Sequence, residues 1–363
     1  MSSPINRQWC LAARPQGMVK ESDFVYHETE VPQLKDGQFL VRNLYLAFEP
    51  AMRGWIEDRK SYIPPVQIGE VMRALSVGQV IESRHPDFQS GDCVQGGFGW
   101  QDYAATKGGG LMPVTKIPSG AALTWPLGVL GVTGLTAYFG VLDIGQPKEG
   151  ETCVVSGAAG ATGSIAGQIA KIKGCRVIGI AGGPEKCRWL TQEANYDAAI
   201  DYKSEDVAAR LKELCPDGIN MYFDNVGGDI LDAALAHIAM NARVVLCGGI
   251  SRYNAEEPPP GPQNYMNLII QRARMEGFIV LDCAARFRTA AQELTDWITT
   301  GKLTFQEDIQ EGFENAPRTF LRLFEGKNIG KQLLKIADPS PRAAGVVRSK
   351  LQKELGLNKE RSA

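Results

Sequence analysis

The chain has 363 residues, more than one ordinary core accommodates, so the length predicts two domains. A formal net charge of −2 leaves no electrostatic footprint for nucleic acid or an anionic membrane surface. No apolar run approaches the length of a bilayer span, and residues 1–14 lack a basic-then-apolar leader pattern.

The first 130 or so residues read as β-rich. Short β-branched or aromatic runs at 39–41, 78–82 and 92–94 are separated by turn clusters such as Lys35-Asp36-Gly37 and Gln89-Ser90-Gly91-Asp92. From Glu151 the pattern changes. An apolar run at 152–156 meets glycines, and a helical stretch follows with Ile165, Ile169 and Ile172 on one face, stopped by Gly174. Further strand-like runs lie at 176–181, 220–224, 243–247 and 277–281, with amphipathic stretches at 206–214 and 230–239 between them. Strands alternating with helices predict βαβ units and a parallel sheet. Mixed segments after Thr300 include 308–310 and 331–336. The Pro-, Lys- and Arg-rich tail, 339–363, predicts a disordered segment or a short docking helix. The 8 cysteines are scattered without close pairs, several inside apolar runs, as expected of buried reduced thiols in a cytosolic protein.

Residues 157–163 read G-A-A-G-A-T-G between a strand and a helix. Glycines there permit unusual φ and close approach of a pyrophosphate, and the helix N-terminus supplies free N–H groups. The strand–loop–helix–strand context makes this a dinucleotide site. Discrimination between the two dinucleotides falls at the end of the second strand, where an acid would hold a ribose 2′-hydroxyl. The sequence there is Ala181-Gly182-Gly183-Pro184-Glu185-Lys186. Glu185 follows a proline at the start of the next helix, where a carboxylate suits the dipole. Lys186 offers a cation to a 2′-phosphate, or is an ordinary solvated helix lysine.

Metal-assisted carbonyl chemistry needs Cys, His or carboxylate ligands in a suitable spacing. The 3 histidines, His27, His85 and His237, fall in no such spacing, and neither a C-x-x-C pair nor a G-x-S-x-G elbow occurs. His85 sits before Pro86 in a predicted turn, and His237 in a predicted amphipathic helix. The expected metal set is none.

With the βαβ unit placed after a β-rich part, the sequence resembles the medium-chain dehydrogenase/reductases, in their zinc-free branch of prostaglandin reductases, alkenal double-bond reductases and curcumin-reductase-like proteins. The motifs that carry the resemblance are N-L-Y-L-A-F-E-P-A-M-R-G from Asn43, G-E-V-M-R-A from Gly69 and V-S-G-A-A-G-A-T-G-S from Val155. D-N-V-G-G from Asp224, C-G-G-I-S-R-Y-N from Cys247, R-M-E-G-F from Arg274 and G-K-N-I-G-K from Gly326 extend it to about Ala337.

The resemblance implies an α/β chain in which a Rossmann parallel-sheet domain (131–300) is inserted into a β-rich GroES-like substrate domain (1–130 and 301–338). It implies a cytoplasmic homodimer and NADP(H) as hydride donor, with an enone or enal as substrate. Gly160, Ala161, Thr162 and Gly163 would hold the pyrophosphate, and Lys186 and Tyr202 the 2′-phosphate. Asn225 would face the ribose or nicotinamide. Cys247, Gly248, Gly249, Ile250, Ser251, Arg252 and Tyr253 would line the nicotinamide arm, with Phe278, Ile279 and Val280 beside it and Asn328 closing the site. Tyr62 would face substrate from a loop. The family's S-V-D-P-Y-M-R reads A-F-E-P-A-M-R here, so Ala51 stands in place of a tyrosine. Leu75 stands in place of a glycine, and both are expected in the substrate pocket.

The implied reaction is reduction of the carbon–carbon double bond of α,β-unsaturated carbonyls. Hydride addition to the β-carbon gives an enolate whose spread charge a single hydrogen-bond donor can stabilise. Tyr253 is the candidate donor, or a residue that merely holds the cofactor. A quinone reductase on the same fold, or a cofactor-binding protein with vestigial activity, are the rival readings.

Overall fold

A computed structural model of the chain describes residues 5–340. The predicted tail therefore lies outside the described residues, apart from its first positions, where the Ser340 amide donates to Oε1 of Gln79 at 2.8 Å.

The N-terminal part is built of antiparallel strands. β1 (Ile5–Leu11) and β2 (Phe24–Glu30) pair with each other. β3 (Phe39–Ala47) leads into the one-turn helix α1 (Met52–Trp55). β4 (Ser76–Ser83) and β5 (Cys93–Gly96) extend the sheet on one side of β3. β6 (Tyr103–Thr106) also pairs with β3, and β7 (Thr115–Lys116) closes on β5. β3 is apolar and mostly buried, as a central strand covered on both faces should be. Opposite it, a Cβ at Gly78 would lie 2.4 Å from the Val41 side chain and 2.6 Å from the Arg42 carbonyl, so glycine is required where the register shifts.

After α2 (Val132–Phe139) the architecture becomes βαβ. β8 (Thr152–Ser156), α3 (Ala161–Ile172), β9 (Arg176–Ala181), α4 (Pro184–Gln192), β10 (Ala198–Asp201), α5 (Val207–Leu214), β11 (Ile219–Asp224), α6 (Gly228–Leu235) and β12 (Ile238–Leu246) follow in order. The short helix α7 (Asn267–Ile270), the strand β13 (Arg274–Gly277) and α8 (Phe287–Thr299) complete the unit. The parallel sheet runs β10-β9-β8-β11-β12-β13, the doubly wound order whose reversal between β8 and β11 opens a crevice at the strand ends. α3 turns Ile165 and Ile169 into the core, while Ile172, the third of that stripe, is only partly buried. Gly167 in α3 lets Tyr196 pass: a Cβ there would fall 2.0 Å from the phenol oxygen, which donates to the Gly163 carbonyl at 2.7 Å.

Two expectations are corrected. The strand expected at 277–281 ends at Gly277, and residues from Val280 to Arg286 turn into 3-10 geometry, because Phe278 packs beside Gly140 and Leu281 faces solvent. The amphipathic run 230–239 is split: α6 stops at Leu235, and Ile238 pairs in register with Ile219. His237 therefore sits in a turn, not in a helix.

The chain then returns to the first sheet. β14 (Glu307–Glu311) pairs parallel with β15 (Lys331–Lys335), and β15 pairs antiparallel with β3, Leu333 opposite Ala47. Between them α9 (Ala316–Phe324) delivers Phe320 to an aromatic cluster centred on the buried Trp100. Trp100 lies 5.0 Å from Phe24, 5.2 Å from Phe48 and 5.9 Å from Phe320, ring centre to ring centre. Such tilted and edge-on pairs add about 0.5–1.5 kcal/mol each beyond burial, so the last segment is held by the first.

Candidate active site

The glycine loop is backbone packed on backbone. Gly157 has φ +58°, and a Cβ at Gly163 would lie 2.4 Å from the Gly157 carbonyl oxygen. No other residue fits the turn from β8 into α3. Gly160 caps α3 with extended backbone, leaving the first-turn N–H groups of Ala161, Thr162 and Gly163 without intrahelical acceptors at the crevice. The returning segment docks directly on this loop: the Gly330 amide donates to the Ala159 carbonyl at 2.8 Å, and Asn328 Nδ2 donates to the Gly330 carbonyl at 2.9 Å.

At the end of β9, Gly183 takes φ +100° and Pro184 opens α4, leaving Glu185 exposed on the first turn. Lys186 Nζ donates to the Gly326 carbonyl at 2.8 Å. Burial pushes its pKa down, helped by the nearby Lys203 and opposed by Asp308. An open cleft of about 680 Å³ lies here, lined by Gly183, Lys186, Asp308, Gly326 and Lys327 among others. Tyr202 is 45% exposed, and its ring edge would lie 2.8 Å from a Cβ on Gly182. Lys203 was missed by reading the sequence; its only signal is a second cation in the turn after β10.

At the end of β11 the buried Asp224 accepts from the Ser156 hydroxyl at 2.7 Å, the Tyr222 hydroxyl at 3.1 Å and the Gly227 amide at 3.1 Å. That network fixes Asn225, whose Nδ2 donates to the Ser156 carbonyl at 2.7 Å. The arm from Cys247 to Tyr253 folds over it. The Gly248 amide donates to the Asp224 carbonyl at 3.0 Å, and those of Ile250 and Ser251 donate to Asn225 and Val226 at 3.2 Å each. Arg252 turns away to the carbonyls of Pro259 and Pro260. Burial pushes the Cys247 thiol up to about 12, which leaves it an inert apolar wall. The Tyr253 hydroxyl accepts from the Gly249 amide at 3.1 Å, leaving its own proton available to donate. Burial raises its pKa above that of a free phenol.

On the opposite side, α1 supplies Ala51 at its start, half-buried, and Trp55, whose Nε1 donates to the Tyr62 hydroxyl at 2.8 Å. Tyr62 is 48% exposed and within electrostatic reach of Tyr253. Phe278 and Ile279 are partly buried and Val280 is buried, with Phe278 and Val280 packed in the cluster that holds Leu135 and Phe139 of α2. Leu75 is not in a pocket. Its carbonyl accepts from the Ala47 amide at 2.9 Å, and its side chain, 7% exposed, packs with Ala47, Val77, Ile117 and Leu333 inside the sheet's core. Pairing across β3 turns it inward, so its bulk adds to the core and not to the cleft.

Among the described residues no three His, Cys, Asp or Glu side chains gather as metal ligands. His85 instead lies edge-on to Phe39 and Phe88, at 5.7 and 5.1 Å. All 8 cysteines are free. Among the described residues, no helix is long and apolar enough to cross a membrane.

A parallel sheet of this order, a glycine cradle at its switch point and a β-rich partner define a dinucleotide-dependent oxidoreductase. Residues 7–114 match the family profile described as the N-terminal domain of oxidoreductase, and 161–296 the one described as zinc-binding dehydrogenase. The chain belongs to the medium-chain dehydrogenase/reductase family, in the branch of the curcumin, prostaglandin and alkenal reductases. It is 46% identical to the NADPH-dependent curcumin reductase of Escherichia coli over 92% of this chain and 97% of that one. It is 39% identical to a 2-alkenal reductase (NADP(+)-dependent) of Nicotiana tabacum over 92% and 98%. The crystal structure of CurA in complex with NADPH from Vibrio vulnificus superposes with a TM-score of 0.86 at 45% identity, covering 92% of this chain and all of that one. The zinc in that second profile's description finds no matching donor set among the described residues.

Proposed function

We propose that the chain is an NADPH-dependent, zinc-independent reductase of the carbon–carbon double bond in α,β-unsaturated aldehydes and ketones. The observation that carries this reading is Tyr253: a phenol in the arm after β12 whose oxygen is already held by the Gly249 amide, with its proton free. The similarity to curcumin and alkenal reductases supports the same chemistry.

NADPH, when bound, supplies a hydride to the β-carbon of the substrate. In this reading the N–H groups of Ala161, Thr162 and Gly163 hold the pyrophosphate, with Gly160 leaving room for it. Lys186, Tyr202 and Lys203 meet the 2′-phosphate. Asn225, Asn328 and the arm from Cys247 to Tyr253 bound the nicotinamide end. Tyr253 donates to the carbonyl oxygen as enolate charge develops, a role that asks for one oriented donor in a partly dehydrated site, and the α-carbon then takes a proton from solvent to give the saturated carbonyl product. Ala51, at the start of α1, and Tyr62, in the loop that follows α1, face the substrate, and the small side chain at Ala51 leaves space for bulky groups.

We assign the substrate domain to 1–130 and 301–338 and the cofactor domain to 131–300. The assembly in this reading is a cytoplasmic homodimer. β13 is an open sheet edge, and Tyr265, Met266, Ile269 and Ile270 nearby are 54%, 50%, 69% and 60% exposed. An open edge beside such a patch fits a second copy of the chain. Following NADPH oxidation with a short 2-alkenal, an aryl enone and a quinone tests the function. Turnover of the quinone alone would overturn it in favour of a quinone reductase.

A further inference from the structure

Arg53 is 3% exposed, yet it carries a fixed positive charge. Burying a guanidinium is costly unless its donors are all engaged, so its partners show what it is for. Nη1 donates to Oε1 of Glu57 at 2.8 Å. Nη2 donates to the carbonyls of Pro15 and Gly17, each at 3.3 Å. Nε donates to Oδ1 of Asn254 at 3.1 Å. Three of these acceptors belong to the N-terminal part of the chain. The fourth is the neighbour of Tyr253, at the end of the nicotinamide arm.

A second contact runs the same way. Asn254 Nδ2 reaches Sδ of Met18 at 3.2 Å, and Gly17, at φ +65°, leaves room for Glu256, whose Oε1 would be 2.8 Å from a Cβ there. The segment following Tyr253 is thus seated on the segment 15–18, with Arg53 between them. Two residues along the same helical turn, Trp55 holds the hydroxyl of Tyr62. One short helix therefore ties down both tyrosines that flank the cleft, one through Asn254 and one directly.

We propose that Arg53 is a positioning residue that fixes Tyr253 for proton donation by clamping Asn254 of the cofactor-side arm to the substrate domain. The proposal rests on the enone-reductase reading for its kinetic consequence, but not for its structural one. Arg53 touches neither substrate nor reacting atoms; it acts through Asn254. Its planar fork suits this, because separate donors read separate segments at fixed angles.

The test uses the full chain with Asn254→Ala and Asn254→Asp, which spare the three other bonds of Arg53 and so spare the fold. With NADPH saturating, Asn254→Ala should lower the single-turnover rate on a short 2-alkenal about fivefold or more, with NADPH affinity within about twofold of wild type. Asn254→Asp, which keeps an acceptor opposite the guanidinium, should recover most of the rate. Hydrogen exchange across 249–256 in the NADPH-bound protein should rise about threefold or more in Asn254→Ala and return in Asn254→Asp. Unchanged single-turnover rate, or unchanged exchange, in Asn254→Ala overturns the proposal. A wild-type protein inactive on enones would sink the functional reading instead, and exchange alone would then decide for or against the clamp.

Discussion

Lys186 and Gly326 meet across 140 positions of sequence: the ammonium on α4 donates to a carbonyl at 2.8 Å in the turn that follows α9. The lysine is thereby aimed along the cleft beside Gly183, with its α4 neighbour Glu185 left in solvent. Lys203 stands close enough to lower its pKa further.

A charge-assisted bond contributes about 1.5–3 kcal/mol, which is roughly ten- to a hundredfold in affinity. Lys186→Ala should therefore raise KM for NADPH by about that factor and leave NADH almost unchanged. Steady-state kinetics with both cofactors measure it. Equal weakening of both would show that Lys186 only pins the turn at Gly326.

Tyr253→Phe should lower kcat for short alkenals and aryl enones alike, on the order of 10²-fold if the phenol is the donor. The pH profile carries the same information with a definite sign. A raised pKa means the proton is retained beyond the ordinary tyrosine value of about 10, so kcat should stay level from neutral pH to at least that point and fall only above it. A wild-type profile that breaks near neutrality, or an active Phe variant, would assign donation to another group.

Much of this site was legible in the sequence because its chemistry is local. The glycine loop, the proline-started α4 and the C-G-G-I-S-R-Y-N arm each announce themselves within ten residues. What the sequence hid were relationships set by pairing. Leu75 looks like a pocket residue until β3 pairs across it and turns it inward. The strand read at 277–281 loses its register because β13 ends where Phe278 must pack beside Gly140. Lys203 acquires meaning only beside Lys186, and Asn254 only through Arg53, which lies far away along the chain.

Prolonged dialysis against a chelator should leave turnover intact, with zinc well below one per chain. The donors do not converge: His27 is in an exposed strand, His85 packs on phenylalanines and His237 caps a turn. Activity lost on chelation and restored by zinc alone would refute a metal-free mechanism.

Ile269→Asp with Ile270→Asp should convert a dimer to a monomer in sedimentation velocity. Both side chains are more than half exposed beside the open edge of β13, so charges there cost little within one chain and much against a second. An unaltered dimer would move the interface elsewhere, and a wild-type monomer would remove it.

The last prediction concerns the buried pair Glu49 and Lys331. Nζ of Lys331 lies 3.0 Å from Oε1 of Glu49 and 3.2 Å from the Phe48 carbonyl, with Lys331 3% and Glu49 8% exposed. Glu49 leads into α1 and Lys331 opens β15, so the pair ties the returning strand to the helix that carries Arg53 and Trp55. Lys331→Met leaves a carboxylate buried without its partner, which costs about 3–5 kcal/mol. The thermal midpoint should fall by roughly 5–15 °C. Glu49→Leu combined with Lys331→Met removes both charges and leaves apolar bulk, a replacement that buried pairs often tolerate. The double variant should therefore be more stable than Lys331→Met alone. Additive losses in that cycle would mean the two charges do not depend on each other, and that β15 is held by its ladder to β3 instead.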